Sequence, residues 1–149
     1  MLFRSEYNCR FADPECQVLM MRLETDLGEL LLAAAEGRLA EAEAPRFSRD
    51  PALTVVMAAN GYPGTPEKGG AVNGIETAEG QGAKIFQAGT KLAPDGKLVA
   101  SGGRVLNVTA SGATVTQAQG AAYRAVDALE FFGGFCRRDI GWREVERES

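Results

Sequence analysis

Residues 6–15 read Glu-Tyr-Asn-Cys-Arg-Phe-Ala-Asp-Pro-Glu. Side chains on a β-strand alternate between its two faces. Tyr7, Cys9 and Phe11 therefore share one face, and Glu6, Asn8 and Arg10 the other. The pattern predicts a strand with an apolar side and a polar side. Asp13-Pro14 ends it. Asp13 suits a helix N-cap, Pro14 the first helical position, and Glu15 the first turn, where an acid complements the helix dipole. Val18, Leu19, Leu23, Leu27, Leu30 and Leu31 recur at helical spacing, which predicts one helix from about Pro14 to Glu36. Gly37 closes it at the usual C′ position.

Beyond that helix the texture changes. Residues 38–50 are charged, contain Pro45 and read as a linker or a solvated surface connection. Leu53–Ala59 reads as a short buried strand, and Gly61–Gly70 as a Gly/Pro loop. Lys84–Gln87, Leu98–Ala100 and Val105–Ala110 are further strand candidates, with a turn at Pro94-Asp95-Gly96 between two of them. A second helix is predicted over Thr116–Phe132, with Ala121, Ala122, Val126 and Leu129 facing inward and Gly133-Gly134 stopping it. A last short segment, residues 135–143, surrounds the single tryptophan, Trp142. The fold class expected is α+β. The last strand and helix of one domain (6–37) precede a linker (38–50) and a small C-terminal domain (51–149) with an antiparallel sheet and one packed helix.

Composition narrows the function. The 149 residues, 45% of them apolar, suffice for one domain with a real core. The formal charge of -4 and the lack of a basic stripe give no reason to expect nucleic acid. No apolar run approaches the roughly 20 residues that span a bilayer, and no secretory signal precedes the first strand, so a cytoplasmic location is expected. The absence of histidine removes imidazole bases, Ser–His and Cys–His nucleophile pairs and most zinc sites. The three cysteines form no C-x-x-C pair, and their odd number fits a reducing compartment.

The chemistry left is oxygen and guanidinium chemistry. Glu6 and Asn8, two residues apart on a strand, sit about 7 Å apart along the chain and reach the same side. Magnesium takes hard oxygen ligands, often one or two from protein with substrate phosphates supplying others. Arg10, next on that face, can hold a carboxylate or phosphate through two hydrogen bonds. Two glycine-rich segments with one cation each, Gly61–Gly70 with Lys68 and Ser101–Arg104 with Gly102 and Gly103, are a candidate seat for a sugar phosphate. The competing reading is turn glycines with surface charges. Neither segment has the G-K-[ST] ending of a P-loop, and Gly80-Gln81-Gly82 lacks the third glycine of a dinucleotide fingerprint.

The stretch Glu6–Glu15 closely resembles the E-[FY]-N-x-R-F-G-D-P-E sequence of phosphoribosylamine–glycine ligases, members of the ATP-grasp group. The likeness continues at Cys16–Leu27, Thr54–Gly64, Phe86–Leu92, Ser101–Ala110 and Arg137–Arg143, in order over nearly the whole chain. It implies that residues 6–37 are the end of an ATP-grasp domain. It also implies ligation of glycine to 5-phosphoribosylamine with ATP, through glycyl phosphate, in de novo purine synthesis. Carried over by position, Glu6 and Asn8 would be Mg2+ or Mn2+ ligands bridging ATP phosphates, and Arg10 would lie beside the acyl phosphate. Asp13 and Glu15 would be substrate-side or orienting groups, with helix capping and dipole complementation as the equal alternative. Arg137, Arg138 and Trp142 match the family but suit a structural role. Ala12 stands where the family usually has glycine, and Gln87 where a histidine is common.

The resemblance also implies upstream N-terminal and ATP-grasp domains that would supply the adenine pocket. Met1–Ser5 do not resemble family sequence and read as a non-native leader, a cloning or assembly scar. The expectation is a ligase fragment inactive alone, with an apolar face exposed on its first helix. The alternative is a non-catalytic module that binds a sugar phosphate.

Overall fold

The computed structural model describes residues 10–149. The metal pair Glu6 and Asn8, the leader 1–5 and most of the strand expected over 6–11 lie outside the described residues. In chain order the helices are α1 (Glu15–Arg22), α2 (Leu27–Ala35), α3 (Ile75–Glu79), α4 (Val115–Ala128) and α5 (Trp142–Glu148). The strands are β1 (Ala52–Ala59), β2 (Ala83–Gln87), β3 (Thr90–Leu92), β4 (Leu98–Ala100), β5 (Arg104–Ser111) and β6 (Gly134–Cys136).

Four strands form an antiparallel sheet in the order β2-β5-β1-β6. Alternation sorts its two faces. Leu53, Val55 and Met57 of β1 pair with Ala110, Val108 and Leu106 of β5, and all six are buried in the core. Ala83 and Ile85 of β2 join them. Helix α4 covers this face with Ala118, Ala121, Ala122, Ala125 and Val126. Small side chains there let the helix backbone approach the sheet closely. The opposite face carries Thr54, Val56, Asn107 and Thr109, and α1 lies against it over β1 and β5. The Pro94-Asp95-Gly96 turn joins β3 to β4, closed by an Ala93 N–H bond to the Lys97 carbonyl of 2.8 Å.

The single helix expected over 14–36 is two. Leu23 turns to extended backbone and bridges Phe47. The Glu24 N–H then donates to the Arg46 carbonyl at 3.0 Å, and the Ser48 N–H to the Arg22 carbonyl at 2.7 Å. Asp26 caps the new helix, its Oδ1 accepting from the N–H groups of Gly28 and Glu29. The leucine period runs straight through this break, so periodicity alone could not show it. The expected end at Gly37 is correct. Its φ of 71° and the bonds Arg38 N–H to Ala33 O and Gly37 N–H to Ala34 O form a Schellman closure. Helix α4 stops earlier than Phe132, because Asn73 and Glu130 exchange two backbone hydrogen bonds of 3.1 Å that pull the chain away. Helices α3 and α5 and strands β3 and β6 were not anticipated; all but α5 are five residues or shorter.

The C-terminus is fastened by polar contacts. The Glu148 carboxylate accepts from the N–H groups of Val115 and Thr116 at 2.7 and 2.9 Å and from the Thr116 hydroxyl. These bonds hold its carboxyl below the usual range. Arg137 grips Asp139 through two hydrogen bonds, and Arg138 pairs with Asp127 and lies 5.6 Å from the Tyr123 ring centre. The structural role expected for this region fits these contacts. Among the described residues no helix is long and apolar enough to cross a membrane.

Leu31 and Leu32 are more than half exposed, and Ala33 alone of α2 is buried. Hydrogen exchange is expected to be fast throughout α2 and slow in β1, β5 and α4. Equal protection of α2 would show that its apolar face is covered in solution. Leu106→Ala, at a position with no exposure, should lower unfolding free energy by about 2–5 kcal/mol in a denaturant titration.

Candidate functional site

Helix α1 starts at Glu15, and Pro14 occupies its cap position with no side-chain cap bond. Asp13, expected as the N-cap, is not one. Its carboxylate is turned onto the sheet. Oδ1 accepts from Gln17 Nε2 at 2.9 Å and from Asn107 Nδ2 at 3.0 Å. Oδ2 lies 3.2 Å from Arg104 Nη2, and the Asp13 carbonyl accepts from Arg104 Nη1 at 2.9 Å. One residue thus joins two β5 side chains that are 91 and 94 positions away in sequence. Glu15 stays exposed in the first turn of α1, where an acid complements the helix dipole. Ala12 has no left-handed backbone, so alanine carries no strain there.

Asn107 was not singled out from sequence. It is fully buried in the middle of β5. Its Oδ1, like Gln17 Oε1, is buried without a hydrogen-bond partner among the described residues. An unpaired buried polar atom costs about 1–3 kcal/mol. The available signal was an amide inside the otherwise apolar run Val105-Leu106-Asn107-Val108, which must find a partner once buried.

The two glycine-rich segments meet. Gly69 N–H donates to the Ala100 carbonyl and Ala100 N–H to the Gly70 carbonyl, both at 2.8 Å, so the end of the Lys68 loop runs beside the start of Ser101–Arg104. Lys68 itself is exposed. The N–H groups of Ser101 and Gly102 both donate to the Gly89 carbonyl, at 2.7 and 3.1 Å. A Cβ at Gly89 would lie 2.5 Å from the Arg104 carbonyl oxygen and 2.8 Å from Gly102 Cα. A Cβ at Gly103 would lie 2.5 Å from the Tyr62 ring. Close packing therefore accounts for Gly103, and the Arg104 guanidinium is engaged by Asp13. Gln87 accepts a hydrogen bond from the Thr90 hydroxyl at 3.0 Å.

Arg10 is exposed and lies three residues before Asp13. Among the described residues no group of three or more His, Cys, Asp or Glu could hold a metal. The groups of this site are guanidinium, amide and carboxylate, and the Asp13 carboxylate already accepts from three side chains. Gly89→Ala should cost about 1–3 kcal/mol by overpacking against backbone. Denaturant unfolding would measure it, and an unchanged midpoint would show that the Gly89–Gly102 contact can open at no cost.

The family described as "Phosphoribosylglycinamide synthetase, C domain" matches residues 52–143. A protein of Mesorhizobium japonicum named phosphoribosylamine–glycine ligase is 62% identical over 143 residues, covering 96% of this chain and 33% of that protein. The protein of the same name from Caulobacter vibrioides is 51% identical over 142 residues, covering 95% and 33%. The crystal structure of phosphoribosylamine–glycine ligase from Thermotoga maritima superposes with a TM-score of 0.71 at 36% identity, covering 90% of this chain and 32% of that one. The chain spans about a third of the length of the curated relatives it matches.

Proposed function

Because this chain belongs to the phosphoribosylglycinamide synthetase C-domain family, we propose that it is the C-terminal part of a cytoplasmic ligase joining glycine to 5-phosphoribosylamine. In this reading ATP phosphorylates the glycine carboxylate to glycyl phosphate. The amine of phosphoribosylamine then attacks the acyl carbon and phosphate leaves. The observation that carries it is a family match over 52–143 together with relatives' identity across 95% or more of the chain, which takes in the opening segment.

Glu6 and Asn8 would hold Mg2+ or Mn2+. A carboxylate and an amide oxygen two residues apart are a hard donor pair that fits either ion, with phosphate oxygens completing the shell. The ion, when bound, would neutralise ATP phosphate charge. Arg10 would contact the acyl phosphate, where a guanidinium stabilises negative charge as it develops. Glu15, exposed in the first turn of α1, would be a second polar group on the substrate side. The adenine pocket and most glycine contacts belong to upstream domains in this reading, so the isolated chain lacks what phosphoryl transfer needs, namely positioning.

A module binding sugar phosphate alone is less well supported. The Ser101 and Gly102 N–H groups already serve the Gly89 carbonyl, and Arg104 serves Asp13. A coupled assay of the 149-residue chain should show no glycine-dependent ADP formation. Turnover above background would refute the division of labour proposed. Calorimetric titration with ribose 5-phosphate should show no tight binding; saturable binding without nucleotide would favour the module instead.

A further inference from the structure

We propose that Asp13 is the hub of a clamp: with Arg104, Asn107 and Gln17 it fixes the segment ahead of α1 onto β5. The clamp itself rests on geometry alone. Its catalytic consequence rests on the ligase reading.

Helix α1 has eight residues and none is fully buried. Its apolar hold on the sheet is thin, so a larger share of its docking falls to polar contacts. Those contacts converge on one residue. Asp13 accepts from three side chains through its carboxylate and carbonyl. The burial of Asn107 supports the same conclusion. Among the described residues its only side-chain hydrogen bond goes to Asp13. No neighbour within the sheet uses that amide, and an aliphatic residue would fill the site without an orphaned oxygen. An amide there makes sense as the far half of a clamp.

The lever arm is short. Three residues span at most about 10 Å of extended chain, so fixing Asp13 confines Arg10 to that radius. Small misplacements of a catalytic group, near 1 Å, can cost about 100-fold in rate. The C-terminal sheet would thus serve the reaction by holding the segment that carries Arg10, without touching substrate through Arg104 or Asn107.

Hydrogen exchange on the 149-residue chain tests this. Asp13→Ala should raise exchange of the α1 amides by about tenfold while β5 and α4 keep theirs. Arg104→Gln, a half-exposed change that spares the core, should act in the same direction. Its effect should shrink in the Asp13→Ala background, where the ion pair is gone and only the Arg104 bond to the residue-13 carbonyl remains. The side-chain amide resonance of Asn107, assigned by its loss in Asn107→Leu, should shift in Asp13→Ala and stay in place in the control Glu24→Ala. Unchanged α1 exchange, additive effects of the two variants, or loss of protection spread through α4 would each overturn the clamp. No ligand enters these measurements, so their failure would leave the ligase reading intact, and failure of the ligase assay would leave the clamp intact.

Discussion

The antiparallel pairing of β1 with β5 is the constraint on which the other elements depend. The two strands place Leu53, Val55 and Met57 beside Ala110, Val108 and Leu106, and that apolar face calls for a cover, which α4 provides. Strands β2 and β6 extend the pair outward on either side. The same pairing turns Thr54, Val56, Asn107 and Thr109 to the other face, where the Thr109 hydroxyl bonds the Thr54 hydroxyl at 2.8 Å. That face is mixed in polarity. It can accept a helix whose own apolar stripe is thin, provided polar groups meet polar groups. The site and the core are therefore two sides of one alternation.

Much of this was legible in the sequence. The strands near 53–59, 84–87, 98–100 and 105–110 were recognisable from short β-branched and apolar runs bounded by glycine and proline. The inner face of α4 followed from Ala121, Ala122, Val126 and Leu129, all of which are buried. The break between α1 and α2 was not legible, because leucines at 19, 23, 27, 30 and 31 keep helical spacing across it. What decides the break is the return of residues 46–48 alongside 22–24, a contact between distant segments that local pattern cannot report. The short elements α3 and β6 fail for a related reason: each holds few residues and depends on what it lies against.

The site was half legible. Strand alternation draws attention to Glu6, Asn8 and Arg10, and glycine content beside a cation to the Gly102–Arg104 segment, but as separate pieces. Asp13 was weighed as a cap because local rules favour aspartate before proline at a helix start. Partners more than ninety residues away won that competition, since they offer the carboxylate a cation and an amide, and the same guanidinium also donates to the Asp13 carbonyl. Asn107 went unnoticed for the converse reason. Its meaning lies wholly in its partner, and a lone amide in an apolar strand does not name one.

The alanines of α4 have one more consequence. Alanine has no rotamers to lose, so the seam between helix and sheet forms almost without side-chain ordering entropy, and the cost of assembly falls on the backbone and on the strands. A helix face made mostly of alanine also has few soft modes with which to absorb a larger neighbour. It behaves as a rigid spacer, and β5, lying beneath it, becomes a fixed datum from which the position of anything tied to its far side can be set.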